Sequence, residues 1–293
     1  MSITIERILV ATDFSRAGQR AAQVAAEWAR QAHAQLRIVH VTPPKGWLSG
    51  AWGLKPSAAD AIQGHATNAL KQAAESADPG RTIELSTGLL SGAAARSIAR
   101  AARDYRAGLI VVGARGERDE SGERVLGGTS AKLLGTVEAP LLLVRRTSED
   151  PVTSVVAAVD LSPRSQAVLD WAAFAAAGKH LHAYHVYDVP FTARLEAYGL
   201  SASAIEVYSE QARSQRDSEL VALMAPIAGT GGASHRVERG DPAVLLSRYI
   251  ESVRPSLVVL GKHVSGKRST PASSVGSVCR FIANSVSADV LVV

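Results

Sequence analysis

Short runs of Val, Ile and Leu alternate along the chain with longer, Ala-rich stretches of helical length. ILVA (8–11), LIVVG (109–113) and LLLV (141–144) are continuously apolar, which suits strands covered on both faces of a parallel sheet. The pattern predicts strands at 6–12, 35–41, 82–87, 108–113 and 140–145, with helices at 16–33, 57–77, 91–106 and 127–137. It then starts again, with strands at 153–159, 181–187, 234–239, 256–261 and 288–293 and helices at 163–177, 201–227, 241–253 and 274–286. Strands alternating with helices predict an open α/β sheet. Ser15, Ser91 and Ser162 stand where a hydroxyl would cap a helix N-terminus, with Pro163 in the first turn, and Asp241-Pro242 repeats the device.

The alternation is duplicated in its details. IERILVATDFS (5–15) returns as VTSVVAAVDLS (152–162), so that Asp13 and Asp160 lie 147 residues apart. LRIVHVT (36–42) returns as LHAYHVY (181–187), AGLIVVGARG (107–116) as PSLVVLGKHV (255–264), and APLLLVRR (139–146) as ADVLVV (288–293). Four blocks in one order at offsets of 145 to 149 residues indicate duplication of a whole domain rather than a short solenoid period. The polar segment TSEDP (147–151) suits a linker. The expected organisation is a first domain over 1–147 and a second over 152–293.

Composition narrows the class. Hydrophobic residues make up 46% and charged residues 20% of 293, as in soluble globular chains. No apolar run reaches the roughly 18 residues that span a bilayer, and the N-terminal MSITIERILVATDFS lacks the three regions of a signal peptide. One cysteine, Cys279, excludes a disulfide framework within the chain and a multi-cysteine zinc site. A reducing, cytoplasmic location is the expectation, with no membrane partner. The net charge of +5 raises the question of nucleic acid. Residues 1–146 carry 19 Lys and Arg against 13 Asp and Glu, and residues 151–293 carry 13 against 12. The basic residues are scattered and aromatics are 5%, which is not the footprint of a dedicated nucleic-acid binder.

Two glycine-containing segments follow the fourth strand of each half. In the first, Val112-Gly113-Ala114-Arg115-Gly116 precedes Gly127-Gly128-Thr129-Ser130, which opens a predicted helix. Glycines let a ligand approach the backbone, and free N–H groups at a helix N-terminus attract phosphate. Asp13, at the end of the first strand, would lie beside Gly113 if strands one and four are neighbours. In the second half, Gly261-Lys262-His263-Val264-Ser265-Gly266-Lys267 nearly matches a phosphate loop, but Arg268 occupies its hydroxyl position. Gly276, Ser277 and Val278 then open a helix. His180, His182 and His185 lie on one strand with only the first two on one face, a poor metal set. No nucleophile elbow or assembled acid–base set is present.

Together these residues resemble the universal stress protein family, in two copies covering nearly the whole chain. Nucleotide-binding members carry G-x2-G-x9-G-[ST] after strand four and an Asp after strand one. The resemblance implies two open-sheet domains, each a five-stranded parallel sheet in the order 3-2-1-4-5 with helices on both faces. It implies ATP as cofactor, with or without Mg²⁺, and a sensor or regulator with slow hydrolysis at most rather than an enzyme. Carried over, Ala11, Thr12 and Asp13 would meet adenine and ribose, and Val41 would offer backbone atoms to adenine. Val112, Gly113 and Gly116 would line ribose and phosphate, with Gly127, Gly128, Thr129 and Ser130 holding phosphates. Asp160, Val186, Gly261, Gly266, Gly276, Ser277 and Val278 stand in the corresponding region of the second half.

Both copies depart from the pattern. Ten residues rather than nine separate Gly116 from Gly127, and Gly128 stands where Ser or Thr is usual. The second copy has Val264 at the second-glycine position, with Lys262, Lys267 and Arg268 as cations to compensate. The first half has the better-formed loop, and the sequence leaves open whether one half, both or neither binds. A protein-interaction or dimerisation module of the same fold is the alternative function. The apolar fifth strands, APLLLV and DVLVV, would lie at sheet edges and seek pairing. The two domains are therefore expected to join within the chain around them, with association of two chains as a further step.

Overall fold

The computed structural model describes residues 3–44, 56–115, 125–146, 152–188, 198–199, 201–227, 232–262 and 275–293. The segment 147–151, expected as a linker, lies outside them. Among the described residues are ten strands and eight helices. The first half runs β1 (Arg7–Ala11), α1 (Arg16–Ala32), β2 (Gln35–Thr42), α2 (Pro56–Ala77), β3 (Leu85–Ser91), α3 (Ala94–Tyr105), β4 (Leu109–Gly113), α4 (Gly128–Thr136) and β5 (Leu141–Val144). The second repeats it as β6 (Ser154–Val159), α5 (Ser165–Ala176), β7 (His180–Tyr187), α6 (Ala202–Met224), β8 (Ala233–Arg239), α7 (Pro242–Val253), β9 (Leu257–Leu260), α8 (Ser277–Ser285) and β10 (Asp289–Val292).

All ten strands form one sheet in the order β3-β2-β1-β4-β5-β10-β9-β6-β7-β8. Each half is parallel and in the order 3-2-1-4-5. The halves meet where β5 and β10 pair antiparallel, Leu142 opposite Leu291. The expected joining through the fifth strands is thus present, and both apolar strands lie inside the sheet, leaving β3 and β8 as its edges. The fifth strands therefore offer no unpaired edge to a second chain, because their N–H and C=O groups are paired within this one.

One apolar layer under α1, α2, α5 and α6 and another under α3, α4, α7 and α8 each run through both halves. Trp28 of α1 and Trp171 of α5 stack with centroids 6.3 Å apart, and Phe174 meets Trp28 edge-on. On the seam, buried Asp289 accepts hydrogen bonds from the backbone N–H groups of Arg145 and Arg146 and from Arg146 Nε.

Three local readings need correction. β3 begins at Leu85, not at 82. Buried Asp78 accepts from Thr82 Oγ1 (2.8 Å) and Ile83 N (3.0 Å), so these two β-formers are held in the loop. Burial resists ionisation of Asp78, but these hydrogen bonds and Arg30 outweigh it and hold the carboxyl below its usual range. Ser91 ends β3 instead of capping α3, whose cap position is Ala93 without a side-chain bond. Ser162 and Pro163 form a turn before α5, which starts at Ser165 behind Arg164. Ser15 and Asp241 do cap α1 and α7, accepting from Gly18 N and Val244 N.

Candidate functional site

β1 and β4 are hydrogen-bonded neighbours, with Ala11 paired to Val112. Here the order of connections reverses, since β1 leads to β2 on one side and β4 lies on the other. A cavity opens at the carboxyl ends of such strands. In the first half it holds about 650 Å³ and is lined by Ala11, Thr12, Asp13, Val41, Val112, Gly113, Gly127, Gly128, Thr129 and Ser130. The structure brings these expected residues together. Gly116 lies outside the described residues.

The strand end is built around a repeated turn. Asp13 Oδ1 accepts from Ser15 N (3.1 Å) and Ser15 Oγ (2.5 Å). Asp160 Oδ1 accepts from Ser162 N (3.0 Å) and from Ser165 Oγ (3.1 Å). Between each Asp and Ser stands a bulky residue in the left-handed region, Phe14 at φ 65° and Leu161 at φ 58°. Such residues rarely take this conformation, and an Asx turn is the local bond that holds it. The Asp-x-Ser signature is therefore first a device for turning the chain. Burial works against the Asp160 carboxylate, yet the bonds from Ser162 and Ser165 prevail and keep its carboxyl below the usual range.

A histidine completes each turn. His40 Nδ1 donates to Thr12 O (2.8 Å), and His185 Nδ1 donates to Val159 O (2.9 Å). Each ring thus carries its proton on Nδ1 when neutral. His40 stacks on Phe14 with centroids 4.3 Å apart. His185 is 5% exposed, and burial pulls its pKa below the ordinary histidine value.

The far wall is the start of α4. Gly127 takes the cap position without a side chain to satisfy the first amides, and Gly128 follows. A Cβ at Gly128 would meet no atom within 4 Å, so the space over this turn is open. Ser130 is committed elsewhere: it is buried and donates to Gly113 O (2.7 Å), tying the helix to the end of β4. Its hydroxyl proton is engaged within the protein, whereas Thr129 has no such internal bond among those of the described residues. Arg115 and Lys132 add positive charge opposite Asp13.

Gly18, His40, Ala94, Ile98, Arg115 and Lys132 also line this cavity and were missing from the sequence reading. Gly18 carried a signal, because an isolated glycine inside a helical pattern marks close packing. A Cβ there would stand 2.6 Å from Asp13 Oδ1 and 2.7 Å from Thr12 Oγ1. The His-Val pair, repeated as His40-Val41 and His185-Val186, was equally visible.

The second half has a corresponding cavity of about 510 Å³, lined by Asp160, Val186, Gly261, Gly276, Ser277 and Val278. Gly266 lies outside the described residues, as do Lys267 and Arg268. Lys262 was expected to face phosphate, but its ammonium donates across the seam to Val137 O of the first half. Burial lowers its pKa. The walls here are more apolar, adding Pro163, Val168, Tyr184, Pro242, Leu246 and Leu260. Cys279 stands at the place of Ser130 in the repeat, and burial pushes its thiol up to about 12.

The universal stress protein family model matches residues 4–145 and again 151–293. The chain belongs to the universal stress protein family. It is a tandem member, each half carrying one copy of the family's sheet. Among solved structures it is similar to a universal stress protein from Archaeoglobus fulgidus, at 18% identity and a TM-score of 0.69, covering 98% of this chain and 97% of that one. A functionally unknown protein from Pseudomonas aeruginosa matches at 17% identity and TM-score 0.67, covering 99% and 92%. A putative universal stress protein from the same species matches at 18% and 0.64, covering 99% and 93%. These likenesses concern the fold. No curated protein matches the chain. No helix among the described residues is long and apolar enough to cross a membrane.

Proposed function

We infer that the first-half cavity of this universal stress protein binds an adenine nucleotide, ATP with Mg²⁺, and that the chain acts in the cytoplasm as a nucleotide-dependent sensor or regulator. The observation that carries this reading is the start of α4. Uncapped amides after Gly127, open space over Gly128, the Thr129 hydroxyl and the cations Arg115 and Lys132 all border one cavity. Such a set suits phosphates, since helix N-termini offer free N–H donors and favour negative charge. The volume lies within the roughly 300–1,000 Å³ of small-molecule sites. Ala11, Thr12 and Val41 form the opposite wall and suit the flat, polar-edged base, and Asp13 suits ribose hydroxyls.

Fast hydrolysis does not follow from this lining. Asp13 accepts from Ser15 and His40 donates to Thr12 O, so the candidate bases are engaged in holding the turn. Purified chain titrated with ATP and Mg²⁺ by calorimetry is expected to bind one equivalent in the first half. Gly128→Val should abolish it without repacking the protein, because its Cβ enters open space. Absence of binding by the unsubstituted chain, natively isolated or after adding ATP, would overturn the reading and favour a protein-interaction module of the same fold.

A further inference from the structure

The second cavity has kept its place while losing the lining that suits a polyphosphate. Thr12, Thr129 and Ser130 of the first half are replaced at equivalent positions by Val159, Val278 and Cys279. Ser130 already spends its hydroxyl on Gly113 O, so the donor lost to a polyphosphate is the Thr129 hydroxyl, which Val278 cannot supply. Ser277 and the uncapped start of α8 still offer donors for one anionic group. The space has nevertheless not filled in, since about 510 Å³ remains.

What borders it is mostly apolar and held rigidly. Tyr184, at the place of Val39 in the repeat, lies parallel to Tyr249 with centroids 4.2 Å apart and rings 5° from coplanar. Its hydroxyl donates to Glu238 Oε2 at 2.5 Å, so its polar end is satisfied away from a ligand. Val186, Leu246 and Leu260 extend this apolar wall. Among the described residues, the charged groups at the cavity are Arg164, Lys262 and Asp160. Asp160 is already enclosed by Ser162 N and Ser165 Oγ. Lys262 and Arg164 donate to the neutral carbonyls Val137 O and Lys262 O, so their positive charge remains in the lining that also holds Ser277, where α8 starts without a side-chain cap.

We propose that the second cavity is a site for a small molecule with a planar apolar body and a single anionic group, a ligand class different from that of the first. The apolar body packs between Tyr184, Val186 and Leu246. The anionic group lies toward Ser277 with Arg164 and Lys262. A tandem chain of this kind reads two chemically unlike ligands on one sheet, with Lys262, which borders the second cavity, bonded to Val137 O of the first half.

The test uses the full chain and naphthalene-2-sulfonate, a planar, fluorescent apolar probe with one sulfonate. The probe is expected to bind one-to-one by fluorescence and calorimetry, and saturating ATP with Mg²⁺ should leave its affinity unchanged. Val186→Trp and Val278→Trp, at half-buried positions on the cavity wall, should each weaken it about tenfold or more by overfilling the space. Failure to bind, displacement of the probe by ATP, or unchanged affinity in both Trp variants would each overturn the proposal.

Discussion

Beneath Asp13 lies Gly18, and beneath Asp160, at the same place in the second half, lies Ser165. Gly18 leaves room for the carboxylate and the Thr12 hydroxyl, whereas Ser165 fills that room and binds the carboxylate through its Oγ. The turn is the same in both, down to the left-handed residue between Asp and Ser. The difference is the residue packed beneath the carboxylate. In the second half two internal donors, Ser162 N and Ser165 Oγ, surround Asp160 from separate sides. In the first, Ser15 N and Ser15 Oγ both donate to Asp13 Oδ1. Repeated sequence thus preserved a backbone device while the side chains around it diverged, the second cavity gaining the more apolar wall.

The largest way to break this comparison is Gly18→Ala. Its Cβ would meet Asp13 Oδ1 and Thr12 Oγ1 below 3 Å, so overpacking should cost about 1–3 kcal/mol of stability and remove measurable ATP binding. Denaturant melts and calorimetry read the two effects, and an unchanged affinity would detach Asp13 from the site. Next in size, Thr129→Val gives the first cavity the lining of the second. A hydrogen bond to a charged group contributes about 1.5–3 kcal/mol, so ATP should bind about tenfold to a hundredfold more weakly, while the melting temperature stays close to that of the parent.

A third test separates the two histidines by pH. His185 has a folded-state pKa below its unfolded value near 6.5. The neutral ring's contribution is therefore complete above that unfolded value. It is lost as pH falls toward the folded one, because the unfolded chain binds the proton more readily. Melting temperature should drop as pH falls below about 6.5, and His185→Gln should flatten that part of the profile. An identical slope in the variant would remove His185 as its cause. The smallest effect concerns the anchoring pair. Ser130→Cys loses the bond to Gly113 O and should cost about 1 kcal/mol. Cys279→Ser, which restores the first half's residue in the second, should change stability by less than that. A larger loss in the second variant would mean that the apolar character of Cys279 matters more than its position in the repeat.

Much of the fold was legible because its signals are local or repeated. Continuous Val, Ile and Leu runs mark strands buried on both faces, and the offset blocks show two copies of one unit. The misplaced elements have a common reason. Thr82 and Ile83 read as strand formers, but Asp78, four and five residues earlier in the chain, binds them in a loop. Ser91 and Ser162 read as helix caps, yet the strand end and the turn around them begin the helices later. Propensity cannot see a competing tertiary bond. At the candidate site, Ala11, Asp13, Gly113 and Gly127 were legible from a strand end and a glycine loop. Gly18 and Lys132 were not singled out, since inside a helix each has an ordinary reading.

By itself the sequence determined the α/β class, the duplication, the turn residues at Asp13 and Asp160, and the glycine-started helices. These depend on periodicity, short-range hydrogen bonds and backbone freedom, all carried by neighbouring residues. The joining of the halves around the fifth strands was legible too, but only the tertiary structure decided that β5 and β10 pair antiparallel, with Leu142 opposite Leu291, in one ten-stranded sheet. Only it revealed that Ser130 is spent on Gly113 O and that Lys262 reaches across to Val137. Those outcomes depend on which distant groups become neighbours, and burial then determines which of them must pair with each other.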